Sequence, residues 1–135
     1  MSKYKDDKDF ENLVTEILGE HGFWASVIPP DDDGTQPCDI IAANHKGKHL
    51  IDAKLCKKPR FDLTRMEDNQ KSSMDAFLER AGGEGWFAIG YPDEKIYMVP
   101  KWKLCMLWDS GARSIGKIPD SLRIEVWLRE HSDHS

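Results

Sequence analysis

The chain has 135 residues, of which 39% are apolar and 32% charged, an ordinary composition for one soluble domain with a sizeable core. No apolar run approaches the ~20 residues of a membrane span, and the start (MSKYKDDK) lacks the apolar stretch of a signal peptide. An integral membrane protein is excluded on that reading, and a cytoplasmic location is expected. The net charge of −5 argues against a nucleic-acid binder until its distribution is considered: residues 1–39 carry −7, residues 40–71 carry +4 and residues 72–135 carry −2.

In chain order, Asp6 or Asp7 can cap a first helix, and Phe10, Leu13, Val14, Ile17 and Leu18 form its apolar stripe up to a stop at Gly22. Residues 23–28 (FWASVI) read as a strand, broken by Pro29-Pro30 and an acidic loop, Asp31 to Asp33. Residues 39–44 (DIIAAN) and 49–55 (HLIDAKL) read as a hairpin. A basic loop at 57–64 leads to Thr64-Arg65-Met66-Glu67, which has the form of a capping box opening a second helix that ends near Gly82-Gly83. A second hairpin, 86–91 and 95–99, precedes a short helix at 101–108. Residues 122–128 alternate like a final strand, and 131–135 read as a frayed tail. The order αβββαβ, with a C-terminal helix and strand appended, predicts an α/β fold: one mixed sheet flanked by helices. A single domain over 1–135, with its core at about 6–109, is expected. The tight link between strands two and three excludes a parallel crossover there.

Three cysteines, Cys38, Cys56 and Cys105, are odd in number and form no CxxC, so free thiols in a reducing compartment are expected and a structural zinc site is not.

The central hairpin holds the chemistry. Asp52 and Lys54 stand two residues apart, on one face of a strand, and Asp39 opens the partner strand. Antiparallel partners sum to a constant, so Asp39 shares that face only if the sum is odd. A turn with Asn44 opposite His49 gives 93. Asp39 then faces Lys54, Ile41 faces Asp52, and Ile40, Ala42, Ile51 and Ala53 fall on the other, apolar face. Two carboxylates beside an ammonium suit Mg²⁺-assisted phosphodiester hydrolysis, because Mg²⁺ takes one or two carboxylates and keeps positions open for water and phosphate oxygen. The competing reading is an exposed Asp-Lys salt bridge on an ordinary strand.

At this point the chain resembles the PD-(D/E)XK nuclease superfamily, and within it the Holliday junction resolvases of the RecU type and their archaeal relatives. The supporting segments are FENLV (10–14), PCDIIA (37–42), LIDAK (50–54), FDLTRMEDNQ (61–70) and WFAIGY…KIYMVP (86–100), ordered over roughly residues 9–109. The resemblance implies a restriction-endonuclease-like fold and a Mg²⁺-dependent, structure-selective DNA endonuclease, with Mn²⁺ as a substitute metal. Its substrate would be branched DNA, four-way junctions above all, cut by a homodimer. It implies that Asp39 and Asp52 bind metal, that Lys54 is the catalytic lysine, and that Gln70 and Glu11 assist at the metal. Asp52 stands where Glu is usual, Cys38 separates Pro37 from Asp39, and the acidic loop is short where RecU-type enzymes project a stalk. The small size leans toward a phage-encoded protein in a bacterial host. The alternatives are another nuclease of the superfamily, on branched or foreign DNA, and a non-catalytic DNA-binding module.

With that cluster placed, Lys57, Lys58, Arg60 and Arg65 are expected to hold phosphates beside the scissile one. The five Trp residues offer stacking faces for unpaired bases, but most read as core, as do Met66 and Met74. His45 and His49 read equally as phosphate contacts or as a solvated turn. Asp31 to Asp33 read as a solubilising loop rather than a second cation site.

Overall fold

A computed structural model describes residues 6–30, 32, 36 and 38–133. Asp31, Asp33 and Pro37, singled out above, lie outside the described residues, as do 134 and 135 of the tail.

Helix α1 (Asp7–Glu20) is capped by Asp6, whose carboxylate accepts from the Asp9 N–H at 2.9 Å, and buries Phe10, Val14 and Leu18 of the expected stripe. Five strands follow in one sheet: β1 (Trp24–Val27), β2 (Ile40–Asn44), β3 (Gly47–Leu55), β5 (Glu84–Gly90) and β6 (Ile96–Pro100), in spatial order β1-β2-β3-β5-β6. All neighbours are antiparallel except β3 and β5, which run parallel. That pair needs a long crossover, and α2 (Asp68–Ala81) supplies it. The two-residue strands β4 (Phe61–Asp62) and β7 (Ser114–Ile115) pair apart from the sheet. Helices α3 (Lys101–Asp109) and α4 (Ile124–His131) complete the chain.

The sheet is buried on both faces. Helices α1 and α4 cover one, packing Phe10, Val14, Leu18, Ile124 and Trp127 on Ile40, Ala42, Ile51, Ala53 and Ala88. The other carries Leu50, Phe87, Ile89 and Val99 beneath Met74 of α2 and Leu104 of α3. The alternation within β2 and β3 thus sorts side chains between two cores. Ile40, Ala42, Ile51 and Ala53 share one face as expected.

Four local readings are corrected. The hairpin turn is shorter than expected: Asn44 pairs with Gly47, and partners sum to 91 rather than 93. The Asn44 side-chain oxygen accepts from the N–H groups of Lys46 and Gly47, at 2.9 and 3.1 Å, and so closes a two-residue turn. Ile41 therefore faces Leu50, and the register carried one step further sets Asp39 against Asp52 rather than Lys54. The shift is two residues, so the faces are unchanged.

The expected capping box at Thr64–Glu67 is absent. Residues 63–65 form a 3-10 turn capped by Asp62, and α2 begins one box later, with Glu67 as N-cap and the Gln70 side-chain oxygen accepting from the Glu67 N–H at 3.1 Å. The helix ends where expected, at Gly82 with φ +72°. Residues 122–128 do not form a strand: Ile124, Trp127 and Leu128 stand at i, i+3 and i+4, and α4 buries all three. That helix runs through His131, where fraying was expected. Finally, His49 is neither solvated nor free for phosphate. It is 5% exposed, packed among Phe23, Trp86, Trp127 and His131, and accepts from the Trp86 indole N–H at 3.0 Å.

Candidate active site

The site forms where β3 outruns β2. Beyond Ile51, the edge of β3 that faced β2 has no strand partner among the described residues. The first backbone donor on that edge, the Ala53 N–H, is taken by the Asp39 carboxylate at 2.8 Å. A side chain thus replaces a ladder bond, and the replacement fixes Asp39 at the end of β3. Asp52 and Lys54 project toward the α2 side, with Lys54 Nζ 3.0 Å from Asp52 Oδ2. Both are buried, Asp52 at 1% exposure.

Glu11 arrives from the other layer. It shares α1 with Phe10 and Val14, is buried, and its Oε1 has no hydrogen-bond partner among the described residues. Among the described residues Asp52 Oδ1 has no hydrogen-bond partner either, while Oδ2 faces the Lys54 ammonium. Burial, reinforced by the nearby charge of Asp39, pushes the Glu11 carboxyl up to about 7. The Asp52 carboxyl is raised by the same two causes, against the pull of Lys54. Burial raises the neighbouring Cys38 thiol, and the two aspartates add to that, so this sulfur stays protonated and inert.

A cleft of about 390 Å³ exposes the group, lined by Asp7, Glu11, Gln36, Asp39, Lys54 and Gln70, among others. Glu11, Asp39, Lys54 and Gln70 therefore meet at one opening, with Asp52 directly beneath Lys54. Gln70 reaches it from the first turn of α2, where its oxygen is already used to cap the helix. Asp7, Gln36, Glu67 and Asn69 also line the cleft and were not anticipated. The acids among them carry capping signals in the sequence, which mask any second role.

Among the described residues, no group of three or more His, Cys, Asp or Glu is arranged to hold a metal ion. The donor chemistry nevertheless fits a hard divalent cation: carboxylates from α1, from Asp39 just before β2 and from β3 crowd together, and among the described residues the buried Glu11 Oε1 and Asp52 Oδ1 have no hydrogen-bond partner. Such crowding is unfavourable without added positive charge, of which Lys54 supplies one unit.

The expected phosphate-binding residues Lys57, Lys58, Arg60 and Arg65 line a second cleft of about 390 Å³, which adjoins the first through Asp7. Lys57 and Lys58 are exposed. Arg60 donates to the Ser114 hydroxyl at 2.9 and 3.0 Å. Arg65 donates to the Leu55 carbonyl at 2.8 Å and pairs with Asp7 at 3.3 Å. Asp6, Asp7 and Asp62 share this cleft, so its charge is less positive than the sequence suggests.

The family described as archaeal Holliday junction resolvase (Hjc) matches residues 2–130. The chain belongs to that family. It is thus a member of a family of junction-cleaving endonucleases. No curated protein matches the sequence. Among solved structures, Hjc of Archaeoglobus fulgidus, a Holliday junction resolvase from an archaeal hyperthermophile, is 23% identical with a TM-score of 0.60, covering 90% of this chain and 96% of that one. A protein of unknown function, AF1548, is 20% identical with a TM-score of 0.47, covering 89% and 64%. The first likeness bears out the restriction-endonuclease-like mixed sheet. Among the described residues, no helix is long and apolar enough to cross a membrane.

Proposed function

We propose that this chain is a Mg²⁺-dependent, structure-selective DNA endonuclease that resolves four-way junctions as a homodimer, each copy nicking one strand. The observation that carries this reading is the meeting of Glu11, Asp39, Asp52 and Lys54 at the bare end of β3, in a chain of the resolvase family. Asp39 and Asp52 hold the metal, helped by Glu11. The Gln70 oxygen has a second lone pair to offer beside the one that caps α2. A divalent cation held by these residues would supply polarisation of the scissile phosphate and a more acidic water.

The chain's own groups do the rest. The Lys54 ammonium, held by Asp52 at the cleft, orients the attacking water and offsets negative charge building on phosphorus. The water oxygen bonds to phosphorus, the bond to O3′ breaks, and 5′-phosphate and 3′-hydroxyl ends remain. Lys57 and Lys58, free at the mouth of the adjoining cleft, hold flanking phosphates without reading sequence.

The test is cutting of an end-labelled four-way junction beside a linear duplex of the same sequence, with Mg²⁺, with Mn²⁺ and with neither. Paired nicks in the junction alone, dependent on metal and lost in Lys54→Ala and Asp39→Asn, are expected. Equal cutting of the duplex would replace junction resolution by a general nuclease activity. Metal-independent binding with no cutting by the unmutated protein would replace it by a non-catalytic module. Sedimentation of the bound complex gives the number of copies, with two expected per junction.

A further inference from the structure

Beyond the end of β2, the exposed edge of β3 bears more than the Ala53 N–H. In a strand, residues two apart point their N–H groups to the same side, so Leu55 presents its N–H and C=O there as well. Both groups are met by side chains. Asp7 Oδ1 accepts from the Leu55 N–H at 3.0 Å, and Arg65 Nη1 donates to the Leu55 carbonyl at 2.8 Å. Arg65 Nη2 lies 3.3 Å from Asp7 Oδ2, which closes a ring of three residues drawn from α1, β3 and the turn before α2. The Arg65 guanidinium also stands 5.9 Å from the centre of the Phe61 ring.

Lys54 sits between two backbone donors held in this way, Ala53 by Asp39 and Leu55 by Asp7. Its ammonium stays buried against Asp52 only while the end of β3 holds its place; β5 pairs one edge as far as Leu55, and the edge beyond β2 is left to these side chains. An unmet pair of backbone groups at Leu55 would instead draw in water and loosen the strand end.

We propose that Asp7 and Arg65 are positioning residues of the active site: together they clamp the Leu55 backbone on the edge of β3 that β5 does not pair, fix the strand end that carries Lys54 against Asp52, and leave Arg65 serving the strand rather than a DNA phosphate. This rests on the nuclease reading of that site. The surface ion pair alone would be weak, but here it aligns two side chains that each meet a backbone group at an uncovered edge.

The experiment compares Asp7→Ala, Arg65→Ala, the double variant and Asp7→Asn in two measurements. The first is steady-state cutting of a four-way junction with Mg²⁺, beside metal-free junction binding across a salt series. Each single variant is expected to lower kcat about tenfold through misplacement of Lys54. The double variant should be no worse than the weaker single, because both break one ring. Junction affinity and its salt slope should be unchanged in Arg65→Ala. Asp7→Asn keeps an oxygen for the Leu55 N–H and should recover part of kcat. The second measurement is hydrogen exchange at the Leu55 amide in the free protein, expected to quicken at least tenfold in Asp7→Ala and also to rise in Arg65→Ala.

The clamp is overturned if Arg65→Ala weakens junction binding and flattens the salt slope by about one while kcat holds, the signature of a phosphate contact. It is equally overturned if Leu55 exchange is the same in all variants. Should the unmutated protein cut nothing, the nuclease reading fails, and the exchange measurement still tests the clamp.

Discussion

Asp52 is nearly sealed from solvent, repelled by Asp39 and attracted by Lys54, and the three effects do not balance equally in its variants. Lys54→Met leaves a buried carboxylate without its cation, which is expected to lower stability by about 3 kcal/mol. Asp52→Asn removes the charge that is both desolvated and repelled, and it leaves Lys54 at the cleft rim, where the ammonium can extend to water. Its loss should be under about 1 kcal/mol. Urea unfolding of the metal-free proteins at pH 7 decides this. Equal losses would mean that attraction within the pair outweighs burial. Millimolar Mg²⁺ should raise the melting temperature of the unmutated protein and not that of Asp52→Asn, since a ligand that binds only the folded state stabilises it. Much of this cluster was legible in the sequence, because Asp52 and Lys54 share a strand face by parity alone. Glu11 was reached only by resemblance, and Asp7 not at all, since its position at the start of a helix already explains an acid.

At the scale of elements, two close fits join the layers, one of them beside the site. Gly90 of β5 lies under α1: a Cβ there would stand 2.7 Å from the Phe10 ring and 3.2 Å from Leu55. Gly90→Ala must therefore lift the helix beside Glu11. It should cost about 1–3 kcal/mol and lower junction cutting more than junction binding; a fully active, equally stable variant would show that α1 can shift freely. The other fit is the aromatic box joining β3, β5 and α4. His49 accepts from the Trp86 indole at Nδ1, so its proton sits on Nε2 and the ring is neutral. Burial, with His131 beside it, lowers its pKa to about 4. The unfolded chain binds the extra proton first. The stability from neutral His49 is thus complete above about pH 6.5 and is lost as pH falls toward 4, on the order of 3 kcal/mol. Urea midpoints at pH 7 and pH 4.5 should differ by more in the unmutated protein than in His49→Gln. Sequence reading took His49 for a turn residue because it stood beside the hairpin turn. The shorter turn and the helix that replaced the last strand together enclose it.

For the molecule as a whole, net charge and function pull in opposite directions. A chain of −5 binds a polyanion only through its local positive surface, and here Asp6, Asp7 and Asp62 dilute that surface. Junction affinity is therefore expected to fall steeply with salt, the log–log slope losing about one unit in each of Lys57→Ala and Lys58→Ala. A slope unmoved by both changes would place the DNA on another face. The +4 stretch at residues 40–71 lines both clefts, through Lys54 in one and Lys57 to Arg65 in the other. It did not show that the most buried of its cations, Lys54, and the arginine at 65 already have protein partners.

Sequence alone determined the order of the elements up to α3, the stop of α2 at Gly82 and the shared face of Asp52 and Lys54. These follow from side-chain spacing over a few residues, and spacing is written in the chain. Tertiary structure decided the two-residue turn, the helical form of the last segment, the burial of His49, the arrival of Glu11 and the use of Arg65 on the backbone. Each depends on which distant groups are left without a partner once the sheet has assembled, and hydrogen-bond and burial demands of that kind arise only when the layers meet.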